Sequence, residues 1–99
     1  MRLTFPLKDG DGFALPAGLF IQRVRVDTLQ TNYENLQLLL LLVAPNKHIR
    51  YSARLNTNNN YSAELNFQVP PGQDYQLAIM SHHETPGFLG HLILFTADE

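Results

Sequence analysis

His82, His83 and Glu84 are consecutive, with His91 beyond. Imidazoles beside a carboxylate are the side chains that hold zinc and related ions. The spacing works against such a site. Adjacent residues of a strand point to opposite faces, so His82 and His83 share an ion only where the loop bends. A third ligand would have to come from Glu84, His91 or His48. The alternative is a solvated polar loop, and no metal or other cofactor is expected. Asp9-Gly10-Asp11-Gly12 resembles the start of a calcium loop. The closing bidentate carboxylate that such loops use does not follow. The next residues are Phe13-Ala14-Leu15-Pro16, so a tight polar turn is expected.

Covalent catalysis finds no support. The chain has no cysteine and no Gly-x-Ser-x-Gly elbow. Ser52, Ser62 and Ser81 lack an evident base, and Glu34, Glu64 and Glu84 are scattered. No glycine-rich phosphate cradle opens a helix. We therefore expect no catalytic residues and no enzyme.

Arg23 with Arg25, and Arg50 with Arg54, form pairs on outward strand faces. They suit an anionic ligand or, more plainly, edge protection. Asp27 and Glu64 are placed to neutralise them. Tyr33 and the run Asn58, Asn59 and Asn60 bring stacking and hydrogen-bonding groups to loop tips. These four are the candidate residues for a glycan or peptide ligand. Asn60-Tyr61-Ser62 matches the glycosylation pattern, which matters only in a secreted eukaryotic chain.

The elements that must position these groups follow a period of two. Leu3, Phe5 and Leu7 alternate with polar neighbours, and Pro6 suits an edge strand. Residues 8–18 read as a loop. In residues 19–28, Phe20, Val24 and Val26 share one face and Arg23, Arg25 and Asp27 the other. Residues 36–44 form the apolar strand, stopped by Pro45-Asn46. In residues 48–56, Ile49, Tyr51, Ala53 and Leu55 face inward. Residues 57–60 read as a hairpin connection. Residues 61–69 alternate again, and Pro70-Pro71-Gly72 turns the chain. Residues 74–81 and 88–97 are the last strands. Seven short strands separated by turn signals predict one all-β domain over residues 1–99, a seven-stranded antiparallel β-sandwich.

Composition narrows the partners. The 99 residues carry 7 Lys and Arg against 9 Asp and Glu, a net charge of -2. A phosphate-driven nucleic-acid binder is normally basic, so nucleic acid is not expected. No membrane span is expected, because the leucine run is far too short. No leader is evident at Met1-Arg2-Leu3-Thr4, which favours a virion or cytoplasmic setting or a trimmed secreted domain.

The stretch from Tyr61 through Pro70-Pro71-Gly72-Gln73-Asp74-Tyr75 to Ile79 resembles strands E and F of fibronectin type III and immunoglobulin-like domains. There a Pro-Gly turn leads into a tyrosine whose hydroxyl bonds back to the backbone. The resemblance implies that role for Tyr75 and an immunoglobulin-like sandwich. Transthyretin-like and jelly-roll-like sandwiches place a tyrosine similarly. The chain has no tryptophan and no cysteine pair of the immunoglobulin kind.

Leu38-Leu39-Leu40-Leu41-Leu42-Val43 is apolar on both faces if it is a strand. Leu36, Leu38, Leu40 and Leu42 fill the core on one face. On the other face, Leu39, Leu41 and Val43 await a second chain, a roof from residues 8–18, or an apolar ligand. Phe88, Leu92 and Leu94 on the last strand are expected to extend this outer face, in the same sheet. The expectation is an assembly protein, such as a virion or appendage component, working as a homo-oligomer or within a larger complex. The alternative is a carbohydrate- or peptide-binding adhesion module.

Overall fold

Alternating apolar and polar side chains cannot bury an apolar stripe as helices, and they do so readily as strands. The computed structural model describes residues 2–31, 36–81 and 88–96. Eight strands run in chain order: β1 (Arg2–Lys8), β2 (Gly12–Ala14), β3 (Phe20–Thr31), β4 (Leu38–Val43), β5 (Ile49–Leu55), β6 (Ser62–Gln68), β7 (Gln76–Ser81) and β8 (Phe88–Thr96). They form two antiparallel four-stranded sheets, β1-β8-β3-β6 and β2-β7-β4-β5.

The added strand is β2, inside the segment expected to be a loop. Its Phe13 pairs with Leu77 of β7 and packs on Phe5, with ring centroids 5.4 Å apart. The flanking backbone is stitched to the same neighbour, through Gly10 N–H to Ile79 O and Leu15 N–H to Tyr75 O. Residues 8–18 therefore extend a sheet at its edge and do not roof its outer face.

The sheet order also differs from the immunoglobulin arrangement. There the last strand joins the sheet of strands C and F. Here the last strand, β8, lies between β1 and β3, in the sheet opposite β4. The order 1-8-3-6 facing 2-7-4-5 is the winding of a jelly roll, whose eight strands make two Greek keys. The two doubly apolar strands, β4 and β8, thus sit in different sheets.

One apolar cluster joins the sheets. Ile21, Val24, Leu92 and Leu94 from one meet Leu38, Leu40, Leu42, Leu77 and Ile79 from the other, all essentially inaccessible. Each such aliphatic side chain contributes about 1.5–3 kcal/mol relative to exposure. Phe88, Leu92 and Leu94 belong to this core, which corrects their assignment to an outer surface. Their neighbours Leu89, His91, Ile93 and Phe95 face outward instead.

Two bulges shift faces where strict alternation predicts otherwise. One between Ile21 and Arg23 buries Ile21 completely, leaving Phe20 only half-buried. The other lies between Leu42 and Val43, where Arg50 of β5 has no partner in the ladder. An extra residue reverses the side-chain alternation beyond it. Ile49 therefore turns outward beside Val43, at 58% exposure.

The asparagine-rich segment is not a hairpin connection. Thr57–Asn59 forms one 3-10 turn that carries the chain from β5 to β6, from one sheet to the other. Asn56 and Asn59 cap it reciprocally: Asn56 Oδ1 accepts from Asn58 N–H, and Asn59 Oδ1 accepts from Asn56 N–H. A further irregularity in β3 lies between Asp27 and Gln30, and Gly90 lets β8 approach it. A Cβ there would lie 3.0 Å from the Asp27 carbonyl oxygen.

Candidate functional site

The outer face of β2-β7-β4-β5 consists of cross-strand rows. Leu39 stands between Met80 and Arg54, Leu41 between Ala78 and Ser52, and Val43 between Gln76 and Ile49. Gly12 and Ala14 of β2 extend the rows beside Ala78 and Gln76. Leu39, Leu41 and Val43 point outward as the alternation predicts, and each is half-buried by its neighbours. Arg54 is the charged residue among these rows. Small side chains at Gly12, Ala14, Ala78 and Ser52 keep the face shallow.

The opposite sheet carries a different surface. On its outer face the guanidinium carbons of Arg23, Arg25 and Arg2 stand 4.3, 5.0 and 5.8 Å from the Phe95 ring centre. Arg25 donates to both oxygens of Asp27, from Nε at 2.6 Å and Nη2 at 2.8 Å. That bidentate bond holds the Arg25 pKa above its ordinary value. The cations cap apolar surface, and Ile93 beside them is only 8% exposed. Stacking over aromatic and aliphatic surface is a structural use of arginine.

A polar cleft of about 550 Å³ opens at one end of the sandwich, between the β4–β5 and β6–β7 connections. Its wall includes Asn46, His48 and Arg50 from one side and Gln73, Asp74 and Tyr75 from the other. Tyr75 is 3% exposed, and its ring lies against Phe67 at 5.0 Å. Its hydroxyl accepts from Arg50 Nη1 at 3.0 Å. Two other tyrosines bond to the backbone: Tyr61 Oη donates to the Leu36 carbonyl at 3.1 Å, and Tyr51 Oη to the Glu64 carbonyl at 3.3 Å. Desolvation raises the Tyr61 pKa.

The residues singled out from sequence fare differently. Tyr33, His82 and His83 lie outside the described residues. His91 is exposed on β8, its Nδ1 2.6 Å from Thr28 Oγ1. Asp9 accepts from Ser81 N–H and Oγ, and Asp11 accepts from Lys8 N–H, so both carboxylates tie turns together. Among the described residues, no three His, Asp or Glu side chains gather into a metal-sized group. Asn59 donates to the Arg54 carbonyl, while Asn58 and Asn60 remain exposed at the opposite end from the cleft. Arg50 and Arg54 do not act as a pair, because the bulge turns Arg50 toward Tyr75. Sequence reasoning missed this cleft. Pro45-Asn46 and Pro70-Pro71-Gly72 marked both turns, but only the strand order brings them together.

No protein-family model matches this sequence, and no curated protein is significantly similar to it. Among the described residues, no helix is long and apolar enough to cross a membrane.

Proposed function

We propose that this protein is a non-enzymatic assembly module that binds further copies of itself through the outer face of β2-β7-β4-β5. The observation that carries the reading is the set of rows centred on Leu39, Leu41 and Val43, in which Met80, Ala78 and Ile49 add apolar surface, Ser52 and Gln76 are polar and Arg54 is the lone charge. Shallow side chains let two such faces approach to the usual sheet-packing distance of about 10 Å. A two-fold axis through the face makes it self-complementary.

The dimensions set the strength. Four strands about 4.8 Å apart, three of them six or seven residues long and β2 only three, give a face of roughly 300–400 Å². A standard interface buries about 800 Å² on each partner. A single contact is therefore weak, in the micromolar range or above, and suits assemblies that repeat it many times. A virion or appendage component is the setting that fits.

Light scattering and sedimentation from micromolar to millimolar concentration test the reading. The mass is expected to rise with concentration in the parent chain. Leu39→Glu and Leu41→Glu are expected to stay monomeric with unchanged circular dichroism. A parent chain that stays monomeric throughout, or variants that associate as it does, would overturn the reading.

A further inference from the structure

We propose that the cleft between the β4–β5 and β6–β7 connections binds a sugar acid, a polyhydroxylated ring bearing one carboxylate. The site is independent of the self-association face.

The cation of the cleft wall is Arg50. Its Nη1 is fixed by the buried Tyr75 hydroxyl at 3.0 Å. One pinned donor orients the guanidinium plane and leaves the Nε–Nη2 edge as a fork. That fork matches a carboxylate through two parallel hydrogen bonds. Arg50 is unpaired by carboxylate among the described residues, in contrast to Arg25 with Asp27.

The remainder of the wall supplies hydrogen-bonding groups. Tyr75 accepts from Arg50 and so keeps its own O–H to donate, and no described residue receives it. Asn46 uses its carbonyl oxygen on the His48 N–H, which leaves its amide donors. Gln73 adds a donor and an acceptor, and Asp74 adds an acceptor. Alternating donors and acceptors suit neighbouring hydroxyls.

Apart from the His48 imidazole, the ring in the wall is Tyr75, which is 3% exposed and packed on Phe67, and so presents little surface to an apolar side chain. Arg50 is the lone Arg or Lys in the wall among the described residues, and Asp74 opposes a second negative charge. A doubly charged phosphate is disfavoured relative to a monocarboxylate. The volume of about 550 Å³ admits one or two sugar rings.

Amide NMR titration of the whole chain tests the proposal, with glucuronate, galacturonate, glucose, acetate and inorganic phosphate as probes. Glucuronate or galacturonate is expected to shift the signals of Asn46, Gln73 and Asp74 and to saturate with a millimolar constant. Glucose and acetate are each expected to bind at least about tenfold more weakly. Arg50→Lys keeps the charge and removes the fork, and is expected to weaken binding by about tenfold. Asp74→Asn removes the hydroxyl acceptor together with a charge that opposes anions, and is expected to narrow the preference for the sugar acid over acetate. Spectra of both variants report whether the fold is intact. Equal binding of phosphate or acetate, no effect of either variant, or no shift at these residues overturns the proposal.

Discussion

At the Tyr61 hydroxyl, one hydrogen bond ties the start of β6 to the Leu36 carbonyl just before β4, and so couples the two sheets. Removing it leaves a buried carbonyl without a partner, which typically costs about 1–2 kcal/mol. Tyr61→Phe is therefore expected to lower stability by that amount in urea unfolding at neutral pH. The phenol's pKa is raised above 10.0 in the fold. The unfolded chain then releases this proton first as pH climbs. The native state holds more protons in that window, so stability falls with rising pH. The advantage of the parent chain over Tyr61→Phe is expected to be complete below pH 10 and to shrink above it. A gap that stays constant up to alkaline unfolding would mean that the hydroxyl is not desolvated.

Among the elements, β4 tests the reading of faces most directly. Its side chains alternate buried and half-buried from Leu38 to Val43. Leu40→Ala is expected to cost about 2–5 kcal/mol by opening a core cavity. Leu41→Ala, one residue on, is expected to cost well under half of that. Equal losses in thermal unfolding would contradict the alternation. This alternation was legible in the sequence, as were the turns at Pro45-Asn46 and Pro70-Pro71-Gly72, because local patterning sets them. The bulge at Arg50 was not. An inserted residue leaves no mark in composition, yet it sends Ile49 outward and Arg50 toward Tyr75. Strand β2 was hidden for a similar reason, since three residues are too few to show a period. The face of β8 was ambiguous because Leu89, Ile93 and Phe95 are as apolar as Phe88, Leu92 and Leu94. Arg2, Arg23 and Arg25 resolve that ambiguity at the end of the strand by covering Phe95, while Leu89 stays 55% exposed.

For the whole molecule, the strand order governs how the chain must fold. Strand β1 pairs only with β8, which joins Arg2 to Phe95 across nearly the full chain. Loop closure of that length has to precede its reward. Folding is expected on the millisecond-to-second scale of non-local β proteins. Stopped-flow refolding that finishes in microseconds would mean that the sheet order is not as described. The same pairing has a practical result for protein engineering. Arg2 and Phe95 are direct neighbours, so the polypeptide enters and leaves the sandwich at one pole. Such geometry allows the domain to be spliced into a surface loop of a carrier protein with short joints at both seams. The asparagine turn would then be held at the far tip, pointing away from the carrier.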